Sequence, residues 1–170
     1  MMKKTLHSLL MAVSGLVCLL ALPSCEGIRM KYAMLEAAER GDVQTVQLML
    51  DKGVPIDSRR GDWRTALHQA ARNGHYETCK KLIEYGADVN ATDRVVNRHY
   101  VDTGEVISYW YDTPLQLAAY FNHADVCQLL INHGAMINKK NSEGYTPLKS
   151  AIENGAEEAA RVLIRNGGTY

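Results

Sequence analysis

One spacing recurs along this 170-residue chain and limits what it can fold into. Equivalent residues follow one another at intervals of 33, 48 and 33 positions. Three series share these intervals: Gly41, Gly74, Asn122 and Gly155; Gly53, Gly86, Gly134 and Gly167; and Met34, Leu67, Leu115 and Leu148. A fixed period of this length predicts a solenoid, in which each unit packs against its neighbours. The middle interval is one period plus 15 residues, which indicates an insertion between the second and third units.

Each unit carries signals for two short helices. Thr113 and Thr146 each precede a proline. The threonine hydroxyl can cap the start of a helix, and proline suits the first helical position because no backbone N–H is needed there. Small residues, as at Ala70 and Ala71, let the first helices of neighbouring units approach closely. A second helix follows, and the glycine series that begins at Gly53 is expected to end it in the left-handed conformation. The chain is therefore predicted to be all-α apart from the insertion.

Several motifs in this register resemble the ankyrin repeat. They are Thr146-Pro147-Leu148, Thr65-Ala66-Leu67-His68, Thr113-Pro114-Leu115-Gln116, Gly74-His75 and Gly86-Ala87-Asp88-Val89-Asn90. The resemblance covers about residues 29–170 and implies a solenoid of about four helix-turn-helix repeats. We place them at about 29–58, 59–91, 92–139 and 140–170, after a targeting segment at 1–24. Ala66, Asn122 and Ile152 depart from the family's proline, glycine and alanine, although asparagine tolerates the left-handed conformation.

The insertion, at about 94–111, reads as a β-hairpin. Two runs of β-branched and aromatic residues flank a glycine-containing turn. With Thr103-Gly104 at the tip, the expected cross-strand pairs are Val101 with Val106, Tyr100 with Ile107, and Arg98 with Tyr109. Two alternatives stay open for this ribbon, which is marginal on its own in water. It folds back over the neighbouring finger loops and shields them, or it extends the row of fingers and grips a partner.

Aromatic and arginine residues point to a protein-binding surface. Of the 12 aromatic residues, six lie between Tyr100 and Phe121. Tyrosine, tryptophan and arginine dominate binding hot spots because they bury much area with little loss of rotamer freedom. We predict that the finger loops and the concave groove bind a partner through Arg64, Arg72, Tyr100, Tyr109, Trp110, Tyr111, Tyr120, Phe121 and Tyr145. The arginines near the fingers are either ordinary solvated charges or a match for an acidic, partly apolar patch on that partner.

Nothing in the sequence indicates an enzyme or a metal site. It contains no His-Glu-x-x-His motif, no glycine-rich phosphate loop and no Gly-x-Ser-x-Gly elbow. His75 and His123 hold equivalent positions in successive repeats, and His68 matches the family's capping histidine, so we expect structural roles for all three. We therefore expect no catalytic residue, no cofactor, no metal and no small-molecule substrate. The 19 basic side chains balance 19 acidic ones, which argues against a nucleic-acid partner.

Two of the four cysteines fall inside the repeats. Cys79 and Cys127 occupy the same place on the second helices of adjacent repeats. Packed helices lie about 8–10 Å apart, whereas a disulfide requires Cα atoms within about 7 Å. We therefore expect two buried, free thiols.

The first 24 residues have the pattern of a signal peptide. Lys3 and Lys4 precede an uncharged run of 14 residues, which is shorter than the roughly 20 needed to cross a bilayer. Leu22-Pro23-Ser24-Cys25 resembles the lipobox of bacterial lipoproteins, which implies cleavage before Cys25 and lipidation of its thiol. We predict a periplasmic protein anchored by lipid in the bacterial envelope, in the outer rather than the inner membrane because Glu26 follows the cysteine. The alternative is a soluble secreted or periplasmic protein.

Together these features predict a non-enzymatic interaction module. The predicted function is a membrane-tethered ankyrin-repeat lipoprotein that binds a protein partner as an inhibitor, an immunity factor or a scaffold. The sequence does not identify that partner. A second hypothesis is a structural or stress-related envelope component that mainly self-associates.

Overall fold

Helices come in four consecutive pairs. The computed structural model of the protein describes the backbone of residues 23–101 and 104–170 and the side chains of residues 26–95 and 111–170. The paired helices are α1 (Pro23–Arg40) with α2 (Val43–Asp51), α3 (Ala66–Arg72) with α4 (Tyr76–Glu84), α5 (Pro114–Tyr120) with α6 (Ala124–Asn132), and α7 (Pro147–Glu153) with α8 (Glu157–Arg165). Residues 1–22, most of the predicted signal peptide, lie outside the described part of the chain.

Threonines start the first helix of three repeats. The hydroxyl oxygen of Thr113 accepts a hydrogen bond from the backbone N–H of Gln116 at 3.2 Å, and Pro114 occupies the first turn. In return, Gln116 Oε1 accepts from the Thr113 backbone N–H at 2.9 Å, which completes a capping box. Thr65 makes the same box with His68, so the expected capping role of this histidine is confirmed.

Left-handed residues end the helices where the sequence predicts. Gly53, Gly86, Gly134 and Gly167 have φ angles of 83°, 84°, 85° and 86°. Asn122, in the turn between α5 and α6, has φ 62°, as expected for the residue that replaces a glycine there.

Two rows of helices form the stack. The first helices pack in the order α1, α3, α5, α7, and the second helices in the order α2, α4, α6, α8. The leucine position of the repeat fills the core between them: Met34, Leu67, Leu115 and Leu148 are buried. Each such side chain contributes about 1.5–3 kcal/mol on burial. The alanine pairs of α1, α3 and α5 are fully buried as well, which confirms the predicted close approach of these helices.

Histidine and glycine interlock successive repeats. The ring of His75 lies against Gly41, and its Nε2 donates to the carbonyl oxygen of Glu39 at 3.0 Å. A methyl group on Gly41 would come within 2.7 Å of the ring Nδ1, so only glycine leaves room for the histidine. His123 lies in the same way against Gly74 of the preceding repeat. The structural role predicted for these two histidines is confirmed.

Two antiparallel strands lie between the second and third helix pairs. They are β1 (Val95–Val101) and β2 (Gly104–Trp110). Val101 pairs with Gly104 and Arg98 with Ile107. The expected pairs, Val101 with Val106, Tyr100 with Ile107 and Arg98 with Tyr109, are therefore wrong by two residues. Gly104 begins β2 instead of forming the tip, which leaves a connection of two residues, a common length in hairpins.

Candidate partner-binding surface

Three finger loops connect the repeats along one edge of the stack. They comprise residues 52–65, 85–113 with the hairpin, and 133–146, and we call them the first, second and third finger. The first finger closes a turn in which the Trp63 backbone N–H donates to the Arg60 carbonyl oxygen at 3.0 Å. It joins the second finger through the Arg94 backbone N–H, which donates to the Asp62 carbonyl oxygen at 2.9 Å. The fingers are therefore tied to one another as well as to the helices.

Asp93 and Asp112 clamp the base of the hairpin. The Asp93 N–H donates to the Asp112 carbonyl oxygen at 2.9 Å, and the Asp112 N–H donates to Asp93 Oδ1 at 2.8 Å. Arg64 Nε of the first finger donates to Asp93 Oδ2 at 2.9 Å. Asn141 Nδ2 of the third finger donates to Asp112 Oδ1 at 3.0 Å. One polar network therefore runs across all three fingers and fixes the point where the hairpin leaves the stack.

Burial shifts the acid–base behaviour of this network. Loss of solvent raises the pKa of Asp93 to about 6, although the hydrogen bonds from Asp112 and Arg64 oppose the shift. Burial also raises the pKa of Asp112. The same cause lowers the pKa of His68 to about 3, so its ring is neutral at physiological pH. Its Nε2 then donates to the Asp112 carbonyl oxygen at 3.2 Å.

Three of the predicted binding residues meet where the helices α3 and α5 end. The rings of Tyr120 and Phe121 lie edge to face with centroids 4.9 Å apart. The Arg72 guanidinium, from the preceding repeat, lies 5.1 Å from the Phe121 centroid. Tyr120 and Phe121 remain 44% and 40% exposed despite these contacts. We call Arg72, Tyr120 and Phe121 the groove cluster; it presents two aromatic rings in edge-to-face contact and one cation to solvent.

A small cavity of about 70 Å³ lies beside the groove cluster. Tyr120 and Tyr145 line it together with Asp112, Gln116, Leu117, Asn141, Glu143, Ser150 and Asn154. Pockets for drug-sized ligands are several hundred Å³, so this one accommodates water or the end of one side chain. The Lys149 ammonium lies 4.0 Å from the centroid of the Tyr145 ring, which adds a second cation to this side of the surface.

The remaining predicted residues are placed separately. Arg64 does not join the groove cluster, because its guanidinium is engaged by Asp93 and is largely buried. Tyr111 directly follows β2 and is 41% exposed. Tyr100 lies on β1, and Tyr109 and Trp110 lie on β2, but their side chains fall outside the described part of the chain. Cys25 lies in the first turn of α1, and its side chain also falls outside that part.

Sequence reasoning missed Trp63. This residue has φ 61°, a conformation that costs a non-glycine residue roughly 1–2 kcal/mol. Its equivalent in the third finger, 81 positions later, is Gly144 with φ 76°. The Trp63 side chain is 50% exposed, and the guanidinium groups of Arg59 and Arg94 lie 5.7 Å and 6.0 Å from the centroid of its ring. Comparing Trp63 with Gly144 in the repeat register would have drawn attention to it.

The cysteines inside the repeats are chemically protected. Cys79 and Cys127 are free and buried, which confirms the prediction. Burial raises the pKa of each thiol to about 12, so almost no reactive thiolate forms at neutral pH.

Among the described residues, no three histidine, cysteine or acidic side chains come together as metal ligands. Within the same ranges, no helix combines the length and the apolar character needed to span a bilayer.

Comparison with known proteins gives the same repeat. A family model described as ankyrin repeats (3 copies) matches residues 8–93 and 95–169. The chain is 40% identical over 153 residues to the probable E3 ubiquitin-protein ligase XBOS32 of Oryza sativa subsp. japonica, covering 78% of this chain and 30% of that protein. It is 31% identical over 132 residues to the human ankyrin repeat and SOCS box protein 11, covering 78% of this chain and 36% of that protein.

A third relative, the ankyrin repeat domain-containing protein 49 of Bos taurus, is 42% identical over 59 residues, covering 34% of this chain and 25% of that protein. The chain thus spans between a quarter and little more than a third of the length of these relatives. The chain belongs to the ankyrin-repeat family, whose repeats generally act as non-enzymatic protein–protein interaction modules.

Proposed function

We propose that this protein holds one protein partner against its groove cluster and its hairpin. The observation that carries the proposal is the exposed contact of Arg72, Tyr120 and Phe121, which bridges the second and third repeats. Aromatic rings that are already in contact with each other lose little rotamer freedom when a partner covers them. The Arg72 cation beside the ring orients an approaching acidic surface and speeds its association.

Rigidity of the neighbouring fingers supports this role. The Asp93–Asp112 clamp and the Arg64–Asp93 ion pair fix the base of the hairpin relative to the groove. A surface that is ordered before binding gives up little entropy in the complex. The hairpin then acts as one wall of the binding site, and the predicted residues Tyr100, Tyr109, Trp110 and Tyr111 are its contact residues.

The site of action follows from the N-terminal motif. We propose that residues 1–24 are a signal peptide and that lipid on Cys25 anchors the repeats in the periplasm, at the outer membrane. Several acyl chains exceed what stable anchoring requires, since each buried methylene contributes about 0.8 kcal/mol. Labelled palmitate should enter the wild-type protein and not the Cys25→Ser variant. Incorporation into that variant, or none into the wild type, contradicts the anchor.

The binding site is tested by affinity capture from a bacterial envelope extract. Tyr109, Trp110, Tyr120 and Phe121 are changed together to alanine. A control changes two other exposed rings to alanine: Tyr76, the first residue of α4, and Tyr85, which directly follows that helix. The first variant should lose a partner that the wild type and the control both retain, with the helical circular dichroism signal unchanged. A partner retained by all three proteins excludes this surface. The effect of the wild type on that partner's activity distinguishes an inhibitor or immunity factor from a scaffold.

Self-association is the second candidate. The last repeat exposes apolar side chains, with Ile152, Ile164 and Tyr170 between 47% and 65% exposed. Such a surface can bind a second copy of the chain. Light scattering over a range of concentrations distinguishes the two functions, because a self-associating protein forms oligomers without any added partner, whereas the binding module stays monomeric.

A further inference from the structure

The first finger carries Trp63 at the position where the third finger has Gly144. The turns of the first and third fingers are closed by the same hydrogen bonds: Trp63 N–H to Arg60 O, and Gly144 N–H to Asn141 O, both 3.0 Å. Glycine adopts this left-handed conformation without strain, whereas tryptophan adopts it only with strain. Strained residues concentrate at binding sites, where the strain is retained for function. Trp63 is such a residue, and it is half exposed on a finger.

The arginines around Trp63 differ in how their charge is balanced. Arg60 Nη1 lies 3.1 Å from Glu39 Oε2, and Arg64 Nε lies 2.9 Å from Asp93 Oδ2. Arg59 has no such acidic partner among the described residues. Its Nη1 donates to two neutral acceptors, the carbonyl oxygens of Thr92 at 2.9 Å and of Trp63 at 3.3 Å. These bonds fix the guanidinium beside the indole while its positive charge and its other donors remain available.

We propose that Arg59 and Trp63 form an anchor site for an acidic segment of the protein partner. A carboxylate from an aspartate or glutamate of that segment pairs with the Arg59 guanidinium, and a neighbouring apolar side chain lies on the indole ring. The Arg94 guanidinium lies 6.0 Å from the centroid of the same ring. The inference rests on the proposed function and adds the chemistry of the partner to it.

Charge complementarity favours a single acidic side chain over a polyanion. Among the described residues Arg59 lacks an acidic partner, whereas Glu39, Asp62 and Asp93 pair with the neighbouring Arg60 and Arg64 and bring negative charge to the same finger. A nucleic acid would bring a row of phosphates against those carboxylates. A protein segment with one or two acidic residues next to an apolar one avoids that repulsion. Arginine also pairs with a carboxylate through two parallel hydrogen bonds, which lysine cannot make.

The test uses short peptides selected from a random library displayed on phage, with the full chain as bait. Selected peptides should be enriched in aspartate and glutamate next to an apolar residue. Their affinity, measured by fluorescence anisotropy of the synthetic peptides, should fall at least about tenfold for Trp63→Gly and for Arg59→Gln. Arg165→Gln, which removes an exposed arginine from α8, is the matched control and should bind as the wild type does.

A stability measurement separates binding from folding. Trp63→Gly should leave the melting temperature unchanged or raise it, because glycine relieves the left-handed strain, while peptide affinity falls. Arg59→Lys, which keeps the charge, should bind more tightly than Arg59→Gln. Peptides without acidic enrichment, or peptides that bind Trp63→Gly and Arg59→Gln as tightly as the wild type, overturn the anchor site.

The same peptides distinguish failure of this inference from failure of the proposed function. Peptides that Trp63→Gly binds normally but that are lost with Tyr120→Ala and Phe121→Ala place recognition in the groove alone. That result contradicts the anchor site and supports the groove. If the library yields no binder while the chain still captures an envelope protein through the groove cluster, the anchor site is likewise excluded.

Discussion

The Asn122 side chain accepts a hydrogen bond through Oδ1 from the backbone N–H of Ala159 at 3.0 Å, which joins the third repeat to the first turn of α8. In the two preceding junctions the corresponding position is glycine, covered by a histidine of the next repeat. At the third junction the histidine is replaced by Ala156. The space that the imidazole would fill then goes to Asn122, so the departure from glycine has a structural reason.

This exchange predicts that positions 122 and 156 are coupled. Ala156→His alone should destabilise the fold because the ring meets the Asn122 side chain. In an Asn122→Gly background the same change recreates the junction found at Gly74 and His123. The loss in the free energy of unfolding should therefore be about 1 kcal/mol smaller than for Ala156→His in the wild-type background. Urea unfolding of the four proteins gives the coupling energy. Strictly additive effects would mean that the two positions do not share this space.

Gly74→Ala should be among the more damaging single changes in the stack. A side chain there is strained by φ 73° and also meets the His123 ring. Gly53→Ala is the matched control, since φ is 83° and no atom lies within 4 Å of a methyl group. We expect a loss of roughly 1–2 kcal/mol for the control from the left-handed backbone, and a loss about twice as large at Gly74, measured by thermal unfolding. Equal losses at the two sites would contradict a packing role for His123.

Asp93 should make stability depend on pH. Its pKa is about 6 in the folded protein against an ordinary value of 3.8, so between about pH 4 and 6 the folded state binds more protons than the unfolded state. The stabilisation by the protonated Asp93 carboxyl is therefore fully present below about pH 4 and is lost as the pH rises through about 6. The free energy of unfolding should fall by on the order of 2 kcal/mol over this range.

Asp93→Asn removes this titration, so the free energy of unfolding should vary less over that window, as measured by urea unfolding at several pH values. Asp57→Asn, the same change at an exposed aspartate of the first finger, is the matched control with which the two slopes are compared. A slope unaltered in Asp93→Asn would assign the pH dependence to other groups.

Removal of the last repeat should destabilise the chain. A protein that ends at Asn138 lacks α7 and α8, which cover α5 and α6. Leu115 and Leu130, almost fully buried in the complete stack, lie in the helices that lose this cover. We expect aggregation or a melting temperature lower by at least about 10 °C. The same melting temperature as the full chain would show that the terminal repeat is dispensable.

The two thiols inside the repeats should not react in the folded protein. Cys79 and Cys127 combine complete burial with a pKa raised to about 12. A maleimide should modify them only after denaturation, as detected by mass spectrometry of their peptides. Glu143→Cys, which adds a cysteine at an exposed position of the third finger, is the positive control and should react at once. Fast modification of either native cysteine would indicate local opening of the stack.

The helical repeats could be predicted from sequence because every signal agreed. Threonine caps, prolines, alanine pairs and glycines repeat in one register, and each acts over a few residues. The strand register could not be fixed in the same way. Side chains alternate with a period of two along a strand, so a shift by two residues leaves the pattern of β1 and β2 unchanged. The sequence therefore indicates a hairpin but does not determine which of two pairings it adopts.

The binding surface was predictable only in part. Tyr120 ends a recognisable helix, α5, and Phe121 follows it, so their position side by side at the end of this helix could be inferred. The charge pattern did not reveal that Arg64 is engaged by Asp93, because that pairing depends on the fold of two separate fingers. The tryptophan at position 63 does not itself indicate a left-handed turn; only its alignment with Gly144 in the repeat register does.

The hairpin departs from the repeat array and rejoins it through Asp93 and Asp112, which are bonded to each other. The polypeptide between them can consequently be exchanged for a loop of another length or chemistry while the helices keep their positions. Variation in that segment and the folding of the four helix pairs are therefore largely independent of each other.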